Sequence, residues 1–172
     1  MILRRLRHQD AERMIEWMHD PSVVEAMNTD FMSKRIEDCL FFIDNSICGS
    51  DIHMAIADDS DVYMGTVSLK HISGGSAEFA IVLCREAMGK GYSIWAMDEI
   101  LKKGFDEIGL EEIYWCVAAN NSRAIRFYDK NHFKRVDAKE INHLMGYSKK
   151  QIDSYIWYKK KKDDYTKELV YI

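Results

Sequence analysis

The sequence predicts one layered α/β domain over residues 1–172. Three observations carry this prediction: the length suits a single domain with its own core, apolar residues make up 47% of the chain, and helix-like and strand-like segments alternate along it. No linker rich in glycine and proline divides the chain, in which Pro21 is the only proline. Because helices precede the strands and also separate them, we expect a mixed sheet covered by helices.

The first third of the chain predicts one strand and two main helices. "ILRRL" is a short strand candidate, and "QDAERMIEWMHD" repeats its apolar residues at helical spacing. "DPSVVEAM" predicts a break followed by a short helical turn. In "KRIEDCLFFIDNS" the apolar residues again fall on one side, and Ser33 is the expected N-cap of this helix.

Three strands are predicted in the middle of the chain. Their segments are "IHMAIAD", "VYMGTVSLKHI" and "AEFAIVLC", and the turn segments "DDSD" and "SGGS" separate them. Turn residues between short apolar runs indicate an antiparallel meander.

A helix, a strand and a second helix are predicted next. Apolar residues at helical spacing predict the first helix from about Tyr92 to "EIGL". "EEIYWCVAA" is a short run rich in β-forming residues and predicts a buried strand. "NNSRAIRFYDKNHF" predicts the second helix.

The end of the chain is expected to complete the sheet. Asn121 or Ser122 is the expected N-cap of the preceding helix. Two closing strands are predicted, in "KRVDAKEI" and in "QIDSYIWYKK", and the second shows alternating apolar residues.

The composition argues against several classes of partner. Acidic residues outnumber basic ones, 28 to 24, and a formal net charge of −4 does not suit a main partner made of nucleic acid. The four cysteines stand far apart without a C-x-x-C pair, which indicates reduced thiols and no metal site. The N-terminus meets charge too early for a signal peptide, and no apolar run is long enough to span a bilayer. We therefore expect a cytoplasmic protein without a membrane partner.

The stretch "REAMGKGYS", residues 85–93, places two glycines just before a predicted helix. It is not a P-loop, because Lys90 is followed by glycine instead of Ser or Thr. It fits the dinucleotide fingerprint G-x-G-x-x-G poorly, because Ile94 takes the third position. Two interpretations stay equally open: backbone N–H groups at the helix start bind a phosphate, or the glycines only permit a tight turn.

Together with a second motif, this stretch resembles the GNAT superfamily of N-acetyltransferases. "AIVLCREAMGKGYS" supplies a strand and a glycine-rich loop, and "NNSRAIRFY" supplies an N-x-x-A-x-x-F-Y pattern one strand later. The resemblance is best over residues 60–136 and points to the ribosomal-protein-type or the amino-sugar branch. Glu86 departs from the frequent Gln or Arg, His132 departs from a frequent glycine, and we expect Glu86 to point to solvent.

The resemblance implies a fold and a cosubstrate. The implied fold is a mixed, mostly antiparallel central sheet of six to seven strands with splayed middle strands and flanking helices. The cosubstrate is acetyl-CoA: the glycine-rich loop would hold its pyrophosphate, with Lys90 adding charge or simply solvated. The backbone at Leu83 would pair with pantetheine and polarise the thioester carbonyl. The implied cofactor-binding residues are Leu83, Met88, Gly89, Lys90, Gly91, Tyr92, Ser93, Asn121, Ala124 and Tyr128.

The implied reaction is direct attack of an amine on the thioester, without a covalent cysteine intermediate. Tyr128 is the implied acid for the leaving thiolate. Glu78 has two interpretations that stay equally open: a general base that acts through water, or an exposed strand residue in a cross-strand pair. His71 and His143 are expected to be structural or exposed and not catalytic, as lone histidines usually are.

The acceptor is expected to bind between the first two helices and the loop "INHLMGYSKK". Candidate lining residues are Trp17, Met27, Phe31, Met32, His143 and Tyr147. "AIRFYDKNHF" is also similar to N-acetyltransferases that modify nucleotide-linked amino sugars, so we expect a small-molecule primary amine of that kind. A protein N-terminus is the alternative acceptor, and a non-catalytic acyl-CoA-binding module is the alternative outside enzymes. We expect a monomer or a homodimer.

Overall fold

The computed structural model describes residues 1–142 and 144–165, and the side chain of Cys48 lies outside the description. The strands are β1 (Ile2–Arg5), β2 (Ile52–Ala57), β3 (Tyr63–Ser73), β4 (Ser76–Leu83), β5 (Glu112–Ala118), β6 (Arg135–Val136) and β7 (Tyr155–Lys161). The α-helices are α1 (Ala11–Met18), α2 (Pro21–Val24), α3 (Ile36–Cys48), α4 (Tyr92–Lys102), α5 (Ser122–Lys130) and α6 (Lys149–Ser154). Short 3-10 turns occupy His8–Asp10, Arg85–Ala87 and Ala138–Glu140, and a π-helical turn over Lys103–Ile108 prolongs α4.

The seven strands form one sheet in the order β1-β2-β3-β4-β5-β7-β6. Every neighbouring pair is antiparallel except β4 and β5, which run parallel. A parallel pair needs a long crossover, and α4 supplies it. The mixed, mostly antiparallel sheet flanked by helices is confirmed.

The two parallel strands separate soon after they begin. Ladder pairs join only Ser76–Glu78 of β4 to Glu112–Tyr114 of β5, so within the described sheet the rest of each strand has no ladder partner on that side. The N–H of Cys84 donates to the Met64 carbonyl oxygen on the β3 side at 2.8 Å. Because successive residues of a strand alternate sides, the N–H and C=O groups of Leu83 face the opening between β4 and β5. The predicted splay is confirmed.

Two helical layers cover the sheet. On one face α4 and α5 pack over a core that includes Phe79 and Trp115. On the other face α1, α2 and α3 pack over a core that reaches Val82. Glu78 lies four residues before Val82 on β4, so its side chain points to this second face.

The predicted start of α3 was wrong. α3 begins at Ile36, because the Asp38 carboxylate accepts the N–H of Arg35 at 2.8 Å and makes Arg35 the N-cap. The predicted cap Ser33 instead donates its N–H to the Asp30 carboxylate at 3.2 Å. A local carboxylate that satisfies the helix-start N–H groups decides the boundary.

The last two predicted strands are shorter than expected. "KRVDAKEI" pairs only through Arg135–Val136, and the 3-10 turn Ala138–Glu140 follows. "QIDSYIWYKK" is a strand only from Tyr155 onward, because the Ser148 hydroxyl oxygen accepts the N–H of Gln151 and starts α6. The alternation expected from Gln151 onward therefore belongs partly to a helix.

The described residues contain neither a cluster of side chains that could bind a metal ion nor a helix that could span a membrane. Among them, no group of three or more His, Cys, Asp or Glu side chains is arranged to bind a metal ion. No helix of the described chain has both the length and the apolar character needed to cross a bilayer. Cys39 and Cys84 are buried, Cys116 is half-buried, and all three are free thiols.

Candidate active site

The glycine-rich loop connects the end of β4 to α4. Gly89 and Gly91 both have left-handed backbone conformations, with φ of 75° and 87°, and Gly91 directly precedes α4. A Cβ atom at either glycine would meet no neighbour within 4 Å, so the backbone conformation and not close packing calls for glycine. The first N–H groups of a helix lack intrahelical partners and carry the positive end of the helix dipole. This loop therefore fits a diphosphate.

The other predicted loop residues lie around the same turn. Met88 precedes Gly89, Lys90 is exposed between the two glycines, and Tyr92 and Ser93 form the first turn of α4. The main-chain N–H groups of this turn are the donors that a phosphate oxygen would meet.

Glu86 turns away from the loop and pairs with Arg13 of α1. Its side chain is 49% exposed, so it points to solvent only in part, and the Arg13 guanidinium holds it. A hydrogen bond from its own backbone N–H and the Arg13 charge lower the pKa of Glu86. Because the carboxylate is neutralised by Arg13, its repulsion of a bound diphosphate is small.

Arg123 reaches the loop from α5. Its Nη1 lies 3.0 Å from the Met88 sulfur and 3.4 Å from the Ser22 carbonyl oxygen. An exposed guanidinium beside a glycine-rich turn is placed to bind a phosphate oxygen. Arg123 was not among the residues predicted from the sequence, although it lies two positions after Asn121 in the second motif.

Asn121 is the N-cap of α5. Its side-chain oxygen accepts the N–H of Ala124 at 3.1 Å, so Asn121 and not Ser122 is the cap. The cap uses only the oxygen, which leaves the amide N–H groups as donors for the pantetheine arm.

Substitution of Asn121 separates these two roles. We expect Asn121→Ala to lower the free energy of unfolding by about 1 kcal/mol, because the cap is lost, and to weaken acetyl-CoA binding. Asn121→Ser keeps a capping oxygen but lacks the amide donor, so it should retain stability and still bind acetyl-CoA more weakly. Urea unfolding and calorimetric titration measure the two effects. Full acetyl-CoA affinity in both variants would leave Asn121 with the capping role alone.

Tyr128 is held in an aromatic cluster at the opening. Its side chain is buried, and its ring centroid lies 5.1 Å from that of Tyr158 and 5.4 Å from that of Trp115. Burial raises the pKa of Tyr128, and Tyr158 and Cys116 raise it further. Within residues 1–142 and 144–165 its hydroxyl makes no hydrogen bond. A fixed, protonated and unpaired hydroxyl suits proton donation to a leaving thiolate.

Glu78 is buried in a polar cluster on the opposite face of the sheet. Lys70 Nζ lies 2.8 Å from Glu78 Oε1, the Tyr147 hydroxyl donates to the same oxygen at 2.8 Å, and His71 Nδ1 lies 3.1 Å from Oε2. Lys70 and Glu78 are register partners of β3 and β4, so the cross-strand pair exists. The expectation that Glu78 is exposed in that pair was wrong, because Tyr147 and the loop that carries it cover the carboxylate.

Tyr147 connects this cluster to β5. The Cys116 sulfur lies 3.4 Å from the Tyr147 hydroxyl, and burial raises the pKa of Tyr147. Burial also raises the pKa of the Cys116 thiol to about 11, so Cys116 is a neutral thiol near pH 7 and a poor nucleophile. The residue thus fits a mechanism without a covalent cysteine intermediate.

The other predicted acceptor residues differ in their surroundings. Trp17 is 5% exposed and its indole N–H donates to the Tyr63 hydroxyl at 3.2 Å. Its polar atom is used in the core and its ring supports Phe31 in an edge contact at 5.1 Å, so its place in the acceptor pocket stays a prediction. Phe31 and Met27 are half-buried, and Met32 is exposed. The predicted acceptor residue His143 lies outside the described residues.

A hydrogen bond joins the segment after α2, which was expected to frame the acceptor, to the start of β7. The Asn28 amide, in the segment after α2, donates to the Tyr155 hydroxyl at the start of β7. The Tyr155 ring in turn meets the Tyr147 ring edge-on, with centroids 5.8 Å apart. Residues far apart in the chain therefore meet on the Glu78 side of the opening.

The fold and these motifs match a known family. The family model described as "Acetyltransferase (GNAT) domain" matches residues 1–134, which is more than half of the chain. The chain belongs to the GNAT acetyltransferases. Members of this family use acetyl-CoA, so the protein is an acetyl-CoA-dependent N-acetyltransferase.

Individual GNAT proteins are similar at modest identity. Acetyltransferase PseH of Campylobacter jejuni strain 81-176 is 24% identical over 140 residues, which cover 81% of this chain and 87% of that protein. An uncharacterized N-acetyltransferase, p20 of Bacillus licheniformis, is 27% identical over 143 residues, which cover 78% of this chain and 79% of that protein.

The fold is shared with solved GNAT structures. The spermidine N-acetyltransferase of Vibrio cholerae, solved in complex with CoA and spermine, superposes with a TM-score of 0.77 at 19% identity. The match covers 96% of this chain and 97% of that one. The GNAT acetyltransferase from Bacillus anthracis superposes with a TM-score of 0.73 at 20% identity, over 94% of both chains.

Proposed function

We propose that this GNAT enzyme acetylates the primary amine of a small molecule by direct attack on the thioester, with a nucleotide-linked amino sugar as the leading acceptor. The observation that carries the proposal is the pair of proton-handling groups on the two faces of the opening. The Tyr128 hydroxyl lies on the α4–α5 face. The Glu78 cluster, which includes Tyr147, lies on the other face, at the last ladder pair before β4 and β5 separate. Acetyl transfer to an amine needs one group to take a proton and another to give one.

The chain's own residues divide the work as follows. The loop at Gly89 and Gly91 binds the diphosphate, and the open edge of β4 positions the thioester. The N–H of Leu83 faces the opening, where it polarises the thioester carbonyl and stabilises the oxyanion that forms on attack. The Glu78 cluster takes the proton of the amine through water. Tyr128 then protonates the departing thiolate.

The Glu78 carboxylate is already paired with a cation, which favours an acceptor that is not a polycation. The Vibrio cholerae neighbour is named for spermidine, and a polyamine is therefore the second candidate. A polyamine carries several positive charges and binds best where carboxylates are free. The Glu78 carboxylate is already paired with Lys70 and contacts His71. The rings of Phe31, Tyr147 and Tyr155 suit packing against a sugar or a base.

Two further alternatives remain, and both are tested by the same assay. A protein N-terminus is the alternative acceptor, in line with the ribosomal-protein-type resemblance. A non-catalytic acyl-CoA-binding module is the alternative that is not an enzyme. The unpaired Tyr128 hydroxyl speaks for catalysis, because a module that only binds needs no acid at the thioester.

The assay is release of free CoA thiol by the purified protein with acetyl-CoA and a panel of amines. The panel contains uridine-diphosphate amino sugars, spermidine, spermine and peptides with free N-termini. We expect amine-dependent thiol release, highest with an amino sugar nucleotide, and mass spectrometry should find one added acetyl group. A reaction without amine gives the background hydrolysis. Tight CoA binding with no acetylated amine would favour the binding module.

A further inference from the structure

We propose that His71, oriented by Glu78, is the residue that accepts the amine proton, in place of Glu78 itself. This inference rests on the proposed function, because it assigns the base of that reaction. It follows from the number of donors that meet Glu78, from the backbone of His71 and from the exposure of the two side chains.

Glu78 is poorly suited to accept a proton. Its Oε1 meets both Lys70 Nζ and the Tyr147 hydroxyl at 2.8 Å, and these donors stabilise the charged carboxylate. Its side chain is only 4% exposed. A carboxylate whose oxygens already accept from a cation, a hydroxyl and an imidazole has little free lone-pair capacity, and it serves best as an acceptor of hydrogen bonds.

The carboxylate fixes which nitrogen of His71 carries the proton. A charged carboxylate can only accept hydrogen bonds, so the 3.1 Å contact requires a proton on His71 Nδ1. The lone pair of the neutral ring is then on Nε2. A histidine that donates Nδ1–H to a buried carboxylate and accepts a proton at Nε2 is a common arrangement for a general base.

The backbone conformation of His71 holds its side chain in this orientation. His71 has φ of 53°, in the left-handed region that is unfavourable for a non-glycine residue. It lies at an irregularity where the β3–β4 register shifts between Lys70 and Ser73, and its N–H donates to the Asp51 carboxylate at 2.9 Å. Bulges redirect side chains, and strained residues cluster at functional sites.

The His71 ring is partly exposed. Its side chain is 37% exposed, and the neighbour at its Cε1–Nε2 edge is a glycine, Gly146, where an added Cβ atom would lie 3.4 Å from Cε1 and 3.8 Å from Nε2. The absence of a side chain at Gly146 leaves this edge of the ring less crowded. The charged and titratable groups that contact His71 or its partner Glu78 come from four segments: Lys70 on β3, Glu78 on β4, Asp51 before β2 and Tyr147 in the covering loop.

His71, Tyr128 and water together account for every proton in the reaction. The ammonium form of the acceptor gives one proton through water to Nε2, which forms an imidazolium paired with Glu78. The resulting amine attacks the thioester carbonyl carbon. Tyr128 gives its proton to the departing sulfur, and the nitrogen proton lost after attack returns to Tyr128 through water. The exposed imidazolium releases its proton to solvent, so one proton is released per acetyl group transferred.

The test variant is His71→Asn. Asparagine tolerates left-handed backbone and can donate to Glu78, but it cannot take up a proton. We expect kcat/KM to fall about 100-fold, and we expect the acid limb of its pH profile to disappear. His132→Asn is the matched control, because His132 is also left-handed, with φ of 59°, and exposed. It should behave like the wild type.

A second variant excludes misfolding as the cause. His71→Gly suits the left-handed backbone and leaves a space the size of an imidazole. Added imidazole should therefore raise the kcat/KM of this variant at least tenfold, as expected when a missing general base is replaced. Wild-type kcat/KM with an unchanged pH profile in His71→Asn would overturn the proposal. A slow His71→Gly variant that imidazole does not rescue, although it is folded by circular dichroism, would also overturn it.

A measurement without any amine distinguishes this proposal from the proposed function. Nitrogen NMR of the His71 ring should show the Nδ1–H tautomer in the wild type and lose this preference in Glu78→Leu, which offers no acceptor. An Nε2–H tautomer in the wild type would overturn the His71 assignment even if amines are acetylated. The Nδ1–H tautomer in a protein that acetylates no amine at any pH would refute the proposed function, and with it the catalytic role of His71.

Discussion

Tyr128→Phe is expected to lower kcat by about 100-fold or more, with little change in the affinity for acetyl-CoA. The phenylalanine ring keeps the contacts with Trp115 and Tyr158, so the aromatic cluster should stay intact. What is lost is the hydroxyl, and general acids contribute about 10²–10⁴-fold to the rate. Because the interaction develops only as the sulfur takes negative charge, its loss should appear in kcat and not in binding.

Steady-state thiol release and calorimetric titration with acetyl-CoA measure the two quantities. Tyr158→Phe is the matched control: it removes a hydroxyl from the same cluster, one that donates to the Asp129 carboxylate at 3.1 Å. It should cost stability but little turnover. Since burial raises the pKa of Tyr128, the acid stays protonated near pH 7, and its titration should not limit the rate there. Wild-type kcat in Tyr128→Phe would remove this residue from the mechanism.

Gly89→Val is expected to weaken acetyl-CoA binding by about tenfold or more. A β-branched residue at φ of 75° costs about 1–3 kcal/mol, and each ~1.4 kcal/mol is a factor of ten in an equilibrium constant. The loop can relieve this strain only by a change of backbone conformation. That change would redirect the main-chain N–H groups that meet the diphosphate.

Gly109→Val is the matched control for this prediction. Gly109 follows the π-helical turn after α4, also has a left-handed conformation with φ of 79°, and has open space where a Cβ would lie. Both variants should lose stability to thermal unfolding, because both force the same backbone strain. Only Gly89→Val should raise the dissociation constant for acetyl-CoA in calorimetry. An unchanged constant would show that the loop does not bind the diphosphate.

The sequence predicted features that depend on a few neighbouring residues. The glycine loop is one such feature, because two left-handed glycines before a helix form a local turn. The Asn121 cap is another, because the side chain accepts an N–H only three residues further along the chain. Both were found as expected. The meander β2–β4 was also predicted, since turn residues and apolar runs specify antiparallel neighbours. Where a competing local signal was overlooked, as with the Ser148 cap of α6, the predicted boundary was wrong.

By itself, then, the sequence determined the order of the elements apart from α6, the left-handed turn at Gly89 and Gly91, and the identity of the family. The tertiary structure alone decided the surroundings of Glu78, whose hydroxyl partner Tyr147 is 69 residues away. It also decided the pairing of Glu86 with Arg13, 73 residues away. The physical reason is range: backbone conformation and helix capping depend on adjacent residues, whereas burial and charge pairing depend on which distant side chains the folded chain brings together.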